Sequence, residues 1–384
     1  MAEILCRVIW LAPLVMLGML AARAPAADGA SPAPERWTPE RARQWADKTP
    51  WLVGSNFIPS TAINELEMWQ ADTFDLAAID RELGWAQQLG FNSVRVFLHN
   101  IPWDEDSAGF LDRIDKFLAV AQKHRIGAVF VLFDSCWDPH PRPGKQREPK
   151  LGLHNSGWVQ CPGADVLHDP AATAKLEGYV KGVVGRFKDD PRVNLWDVYN
   201  EPDNLNDSSY GRDNLKQEPA DKLELTLPLL LNAFAWARQA GATQPLTSAV
   251  WHDDWSEGAK LKPIPRAQLD NSDVISFHVY ADLPATHERV ESLRHYHRPL
   301  VCTEYMARPT GSTFASILPY LRQERVAAYN WGFVAGKTNT IYPWDSWQKT
   351  YTAEPKIWFH DIFRPDGTPF DPREMETIKG ITGG

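Results

Sequence analysis

Short apolar segments alternate with amphipathic segments along most of the chain, and this alternation is the feature that most restricts its fold. Eight runs rich in β-branched and aromatic residues begin at positions 51, 93, 126, 193, 246, 273, 299 and 326. The stretches between them, such as 75–90 and 109–124, carry apolar residues at helical spacing. Strands that are apolar throughout and alternate with helices indicate a parallel sheet that is buried on both faces.

Eight strand–helix units over roughly 280 residues match the repeat length of a (β/α)8 TIM barrel. A doubly wound open sheet is the main alternative, and it usually brings a glycine-rich phosphate loop after an early strand. The sequence contains neither a G-x-G-x-x-G nor a Walker motif. We therefore predict an α/β fold, a (β/α)8 TIM barrel, that forms one domain over residues 49–384.

The first 27 residues are typical of a signal peptide. Arg7 precedes the apolar run "VIWLAPLVMLGML", and the small residues of "ARAPAA" suit a cleavage site. An uncleaved anchor helix is the alternative, but the run is short for a membrane span. Residues 28–48 are polar and contain proline, which predicts a flexible leader. The expected protein is secreted or periplasmic, and its mature chain has no integral membrane segment.

Charge and composition narrow the range of partners. The formal net charge is -9 and no long Lys/Arg run occurs, which argues against a nucleic-acid partner. The chain has 17 tryptophans, and exposed ones suit flat, apolar ligand faces such as sugar rings. In an exported protein Cys136 and Cys161 are candidates for a disulfide, an assignment that the sequence leaves open. Cys302 lies in an apolar run and is predicted to be a buried thiol.

Polar side chains collect where the predicted strands end, and in a TIM barrel the carboxyl ends of the strands form the active site. The residues at these ends are Arg95, His99, Asp134, Asn200, Glu201, Trp251, His252, His278, Tyr280, Glu304 and Trp331. Glu201 and Glu304 fall on strands four and seven, nearly opposite each other, so they can meet across the mouth. Carboxyl groups about 5–5.5 Å apart suit double displacement at a sugar, whereas a wider gap suits inversion.

The order of these residues resembles glycoside hydrolase family 5, the cellulase-type members of the retaining clan A. The resemblance runs from about Trp51 to Trp331. It is carried by "NEP" at 200–202, "HVY" at 278–280 and "TEY" at 303–305, together with Arg95 and Trp331. "NEP" alone is weakly specific, but its combination with a strand-seven glutamate and a strand-six H-x-Y is strong.

The resemblance implies a role for each matching residue. Glu201 would be the general acid/base and Glu304 the nucleophile. Arg95 and Tyr280 would keep that nucleophile ionised. Asn200 would bond the sugar 2-hydroxyl, a contact that strengthens as the anomeric carbon becomes cationic.

The remaining implied roles are those of His278, which would position the acid/base, and Trp331, which would form the floor under the reacting sugar. Family members often carry a histidine at the end of strand three, where this chain has Phe133, Asp134 and Ser135. We expect His99 on the neighbouring strand to substitute for it. Trp251 is predicted to contact ligand, and the outer sugar platforms are predicted to be Trp69, Trp103 and Trp137.

The sequence thus predicts an exported retaining β-glycosidase that acts on a β-linked glycan such as β-1,4-glucan or β-mannan. No cofactor or metal is expected, because two carboxylates can handle the whole reaction. Two alternatives stay open. One is an exo-acting glycosidase or transglycosylase with the same machinery, and the other is a catalytically silent barrel that binds polysaccharide through its tryptophans. The sugar, endo or exo action and the oligomeric state are not fixed by the sequence.

Overall fold

The eight predicted strands are all present and run parallel. The computed structural model describes residues 35–207 and 218–384, and the predicted signal peptide lies outside them. The strands are β1 Val53–Asn56, β2 Ser93–Phe97, β3 Gly127–Val131, β4 Val193–Asp197, β5 Leu246–Thr247, β6 Ile275–His278, β7 Leu300–Tyr305 and β8 Ala327–Asn330. They are buried because helices cover the outside of the sheet, which explains their unbroken apolar sequences.

The sheet closes into a barrel. Its strand order is β5-β4-β3-β2-β1-β8-β7-β6, so the first strand pairs with both β2 and β8. A parallel bridge between Val250 and Phe277 joins the two ends of this order. Strands β1 and β2 approach so closely that a Cβ on Gly54 would lie 1.6 Å from the carbonyl oxygen of Ser93. The predicted TIM barrel is confirmed.

Twelve α-helices occur in the described residues. They are α1 Pro39–Lys48, α2 Glu65–Trp69, α3 Leu76–Gln88, α4 Asn100–Glu105, α5 Ser107–Lys123, α6 Ala164–Leu167, α7 Pro170–Phe187, α8 Lys222–Gln239, α9 Pro263–Asn271, α10 Leu283–Leu293, α11 Phe314–Gln323 and α12 Pro372–Thr382. Helix α5 shows the pattern, since Phe110, Ile114, Phe117 and Ala121 recur at helical spacing and are fully buried. No described helix is both long and apolar enough to cross a bilayer.

The predicted flexible leader is wrong in its second half. Helix α1 begins after Thr38, whose side chain accepts a hydrogen bond from the backbone of Arg41 and caps the helix. Trp37 and Ala42 pack into an apolar cluster with barrel residues, and the Trp37 backbone donates to Asp273 at 2.8 Å. Ala42 is the only buried residue of α1, so the segment is polar because most of its surface faces solvent.

The candidate disulfide is also absent. Cys136, Cys161 and Cys302 are all free thiols. Cys161 is buried, where its sulfur lies 3.5 Å from the carbonyl oxygen of Leu132. Cys302 is fully buried in β7, as predicted.

Two long connections build the wall of the barrel mouth on one side. The first follows β3 and extends to α7, and the second follows β8 and extends to α12. They meet where Trp137 stacks on Trp347, with ring centroids 5.3 Å apart and planes 13° from parallel. Both connections therefore present aromatic side chains beside the strand ends.

Candidate active site

The carboxyl ends of the strands open into one large cleft. Its volume is about 980 Å³, at the upper end of the range for small-molecule sites. Its lining includes Cys136, Trp137, Asn200, Glu201, Asp203, Asn204, Trp251, His252, His278, Tyr280, Glu304, Trp331 and Trp344. The predicted strand-end glutamates therefore share one hollow.

Glu304, at the end of β7, is held by a cation and a hydroxyl. Arg95 donates to its Oε1 at 2.9 Å, and the Tyr280 hydroxyl donates to its Oε2 at 2.7 Å. Burial raises the pKa of Glu304, and the positive charge of Arg95 and the Tyr280 hydrogen bond act in the opposite direction. The carboxylate thus has two partners that favour its ionised form.

Arg95 links three strand ends below the cleft floor. It is fully buried and donates from Nε and Nη2 to Asp197, at 3.1 and 2.8 Å. It also donates to the side-chain oxygens of Asn56 and Asn200, at 2.8 and 2.7 Å. A buried guanidinium needs such partners for all its N–H groups, so its position is fixed on several sides.

Glu201, at the end of β4, has a different set of neighbours. Its Oε1 lies 2.6 Å from Nδ1 of His278, and its Oε2 accepts hydrogen bonds from Asn204 at 2.7 Å and from the Cys136 thiol at 3.3 Å. No Arg or Lys pairs with it among the described ion pairs. Burial raises the pKa of Glu201, and the nearby charge of Asp203 raises it further.

His278 stands between the two glutamates. Its Nε2 lies 3.6 Å from Oε1 of Glu304, opposite the nitrogen that meets Glu201. Burial lowers the pKa of His278 to about 4, so the ring is neutral at ordinary pH. Carboxylate oxygens of Glu201 and Glu304 come within 4.8 Å of each other at this point.

Glu201, His278 and Glu304 are also close enough to bind a metal ion as three ligands. No other group of this kind occurs among the described residues. The chemistry of these three side chains favours proton transfer instead. Both oxygens of Glu304 already accept hydrogen bonds, one from Arg95 and one from Tyr280, which makes them less free to bind a cation. Acid–base and nucleophilic chemistry at a small electrophile is what this set can perform.

The backbone beside the glutamates adopts an uncommon conformation. Glu201 has φ 43°, and Trp137 and Met306 have φ 69° and 79°. Residues other than glycine rarely enter this left-handed region, and each costs of order 1–3 kcal/mol. At Glu201 this conformation belongs to the turn that ends β4 and aims the carboxylate into the cleft.

Asn200 is held on both sides of its amide. Its Oδ1 accepts from Arg95, and its Nδ2 donates to Oδ1 of Asp134 at 2.9 Å. Asp134 ends the β3 segment and also accepts from the Trp158 indole at 2.7 Å and from the Cys136 backbone at 3.0 Å. Burial raises the pKa of Asp134 to about 6.

Aromatic side chains surround the two carboxylates. Trp331 is half-buried after β8 and packs edge-on against Phe97 and Trp158, with centroids 5.7 Å away in both cases. Trp251 lines the cleft after β5, and its indole donates to Asp203 at 2.8 Å. Trp344 meets Tyr280 edge-on at 5.0 Å. These rings offer apolar faces beside a polar centre, as sugar sites do.

The prediction that His99 binds substrate is wrong. The ring is fully buried and does not line the cleft. Its Nδ1 accepts from the Ile101 backbone and caps α4, and its Nε2 lies 3.1 Å from the carbonyl oxygen of Gln160. Both nitrogens are therefore occupied by the fold.

Two of the predicted outer platforms are also wrong. Trp69 is fully buried in the core, and its indole donates to the Phe97 carbonyl. Trp103 packs against Tyr179 of α7, on the outside of the barrel. Trp137 does line the cleft.

Several site residues were not predicted from the sequence. Asn204, Cys136 and Asp203 contact Glu201 or its neighbours, and Trp344 approaches Tyr280. None of the four lies at a strand end: three are in loops, and Trp344 begins a short 3-10 helix. The sequence "NEPDN" could have indicated Asn204, because an amide three residues after Glu201 can reach its carboxylate once the chain turns.

No family model matches the chain. Curated relatives do match: mannan endo-1,4-β-mannosidase 8 of Oryza sativa subsp. japonica is 24% identical over 269 residues, 65% of this chain and 69% of that protein. Mannan endo-1,4-β-mannosidase 7 of the same organism is 26% identical over 192 residues, 47% of this chain and 48% of that protein. The chain thus spans about half to two thirds of these relatives.

Solved structures share the fold at low sequence identity. A β-1,4-D-mannanase from Cryptopygus antarcticus has a TM-score of 0.54 at 12% identity, covering 87% of this chain and 90% of that one. An exo-β-1,4-mannosidase from an Opitutaceae bacterium has a TM-score of 0.56 at 19% identity, covering 86% and 60%. A GH5_18 structure from Streptomyces cattleya in complex with GlcNAc has a TM-score of 0.52 at 12% identity, covering 86% and 79%.

The barrel, its cleft and these relatives define an enzyme of the glycoside hydrolase class. More particularly, the chain is a β-glycan hydrolase, and its predicted resemblance to glycoside hydrolase family 5 is confirmed.

Proposed function

We propose that the chain hydrolyses β-1,4-linked mannosides by double displacement, with Glu304 as nucleophile and Glu201 as general acid/base. The observation that carries this proposal is the approach of the two carboxylates to within 4.8 Å in one cleft. Such a separation leaves no room for a water between the carboxylate and the sugar, as inversion requires, and suits direct attack.

In the first step a Glu304 oxygen attacks the anomeric carbon as the glycosidic C–O bond breaks. Glu201 gives its proton to the departing oxygen, and a glycosyl ester forms on Glu304. In the second step Glu201 takes a proton from water, whose oxygen attacks the same carbon and releases Glu304. Two inversions give net retention, and each carboxyl group ends in its starting protonation state.

The neighbours of the two glutamates support this division of roles. Glu304 needs a negative charge, and Arg95 and Tyr280 stabilise one. Glu201 needs a proton, and its burial, together with the nearby negative charge of Asp203, raises its pKa and favours the neutral acid.

His278 couples these two states. A neutral imidazole carries one ring proton. When that proton is on Nε2 it faces Glu304, and Nδ1 is then an acceptor for the proton of Glu201. A protonated acid and an ionised nucleophile are therefore favoured together.

The sugar is assigned from the relatives, and the reacting subsite from the residues around the glutamates. The matching proteins include mannan endo-1,4-β-mannosidases and a β-1,4-mannanase. Asn200 would bond the 2-hydroxyl, and Trp331 would lie under the reacting ring. Export to the periplasm or the medium, where a polymeric mannan is accessible, belongs to the same proposal.

Chemical rescue tests the roles of the two glutamates. Glu304→Ala should lose turnover of an activated aryl β-mannoside, and azide should restore it with the α-mannosyl azide as product. Glu201→Ala is the matched control, since azide then attacks the intact ester and gives the β-mannosyl azide. Unchanged hydrolysis by Glu304→Ala would end the assignment.

The substrate needs its own comparison. Wild-type enzyme should release more reducing ends from β-mannan than from β-glucan or xylan. The products from a defined mannohexaose would then show whether cleavage is internal or terminal. Preference for β-glucan would leave the mechanism intact and overturn the sugar.

A further inference from the structure

We infer that Asp134 is a positioning residue that fixes the orientation of the Asn200 amide, so that Nδ2 rather than Oδ1 is presented to the reacting sugar. This inference rests on the proposed function, because it concerns the reacting subsite of a glycosidase. Asp134 stands at the strand end where the resembling family often has a histidine, and His99 does not replace it.

The first step concerns the two possible orientations of an amide. A carboxamide can turn by 180° at little intrinsic cost, which exchanges its donor for its acceptor. Asn200 has a cation on one side, since Arg95 donates to its Oδ1 at 2.7 Å. It has a carboxylate on the other, since Nδ2 donates to Asp134 at 2.9 Å. A turned amide would place N–H groups against a guanidinium and an oxygen against a carboxylate.

The second step concerns how firmly Asp134 itself is held. Three donors converge on it: the Asn200 amide, the Cys136 backbone and the Trp158 indole. The side chain is 1% exposed, so no bulk water competes for these bonds. Trp158 in turn packs against Trp331. The carboxylate thus accepts hydrogen bonds from three donors at once.

The third step concerns what Asn200 has left to give. An Nδ2 group has two hydrogens, and Asp134 takes one of them. The other is directed towards the thiol sulfur of Cys136, which is 3.5 Å away and a weak acceptor. A sugar hydroxyl is a better acceptor than a thiol, so this hydrogen remains available to the substrate.

Asp134→Leu tests the inference, because it keeps the approximate shape and removes both oxygens, including the Oδ1 that accepts from Nδ2 of Asn200. We expect kcat/KM for an aryl β-mannoside to fall about 10- to 100-fold, mainly in kcat, because the affected contact strengthens in the transition state. The 2-deoxy analogue lacks the hydroxyl to which Asn200 would donate. On this analogue the same substitution should lower kcat/KM by less than about 3-fold.

Trp158→Phe is the matched control. It removes another hydrogen bond to Asp134, at 2.7 Å, and keeps an aromatic ring at that position. This variant should keep the wild-type ratio of kcat/KM on the mannoside to kcat/KM on its 2-deoxy analogue. Asp134→Ser provides a second way to remove the carboxylate if Asp134→Leu yields no folded protein. Its ratio of kcat/KM on the mannoside to kcat/KM on the 2-deoxy analogue should also collapse.

The outcomes separate two kinds of failure. If the Asp134 variants lose the same factor in kcat/KM on both substrates, the positioning role is wrong. It is also wrong if Trp158→Phe changes the ratio of the two kcat/KM values as much as they do. Failure of the wild-type enzyme to cleave either substrate would instead refute the proposed function.

Discussion

Replacing Arg95 by methionine should weaken the fold and the reaction to different extents. Arg95 is fully buried and donates five hydrogen bonds, two to Asp197, one to Glu304 and two to amide oxygens. Methionine keeps the apolar stem but leaves both carboxylates without a cation. Breaking a buried ion pair costs about 3–5 kcal/mol, so we expect the free energy of unfolding to fall by about that amount.

A second substitution separates stability from catalysis. Asp197 is completely buried, and its Oδ1 has no hydrogen-bond partner among the described residues, so Arg95 is its main compensation. Asp197→Asn in the Arg95→Met background removes the stranded charge and should recover about half of the lost stability. Turnover should not recover, because Glu304 still lacks its cation. We expect kcat/KM to stay about 100- to 1,000-fold below wild type.

Urea unfolding followed by tryptophan fluorescence measures the first effect, and hydrolysis of an aryl β-mannoside measures the second. If the unfolding free energy of Arg95→Met lies within about 1 kcal/mol of wild type, the claim that the buried ion pair stabilises the fold is refuted. Recovery of turnover together with stability in the double variant would show that Arg95 serves only as a structural counter-ion.

Three further outcomes follow from the structure. Cys136→Ala removes a hydrogen bond that lowers the pKa of Glu201, so the high-pH limb of the kcat/KM profile should move to higher pH. A shift to lower pH would contradict the contact. Gly54→Ala should prevent folding, because its Cβ would lie 1.6 Å from a carbonyl oxygen of β2. Gly178 lies on α7 with open space around it, so Gly178→Ala should instead stabilise the protein by about 0.5–1 kcal/mol. Thermal unfolding measures both effects. Alkylation of the unfolded protein without reductant, read by mass spectrometry, should label all three described cysteines; a linked peptide pair would contradict the free thiols.

The barrel could be predicted because its strands carry a strong local signal. Each strand is buried on both faces, so segments such as 126–133 are apolar throughout and contrast with the amphipathic helices. Helix α1 gave no such signal. Only Ala42 of its ten residues is buried, and its packing under the barrel depends on Trp37 and distant strands.

The strand-end residues of the site could be predicted for a similar reason. A parallel barrel brings the carboxyl ends of all strands to one face, so Glu201 and Glu304 meet there although they are far apart in the chain. The direction of a side chain just beyond a strand end is another matter. His99 turns back to cap α4, and this depends on the local course of the backbone.

Most loop residues of the site could not be placed from the sequence. Cys136 reaches Glu201 only because the β3 connection folds back beside β4, with Trp137 in the left-handed region. Asn206 and Trp137 contribute to that course through a hydrogen bond of 2.9 Å between the Trp137 backbone and the Asn206 side chain. Such contacts arise from tertiary structure and leave no periodic pattern.

The left-handed backbone of Glu201 has a practical consequence for anyone who wishes to see a glycan in the cleft. Glycine and asparagine enter this conformation more easily than glutamate does, so either one at position 201 would relieve strain while removing the acid. An inert variant of this kind should be at least as robust as the active enzyme. The residue that we propose as the acid is thus also the one whose replacement would give a durable trap for an uncut oligosaccharide.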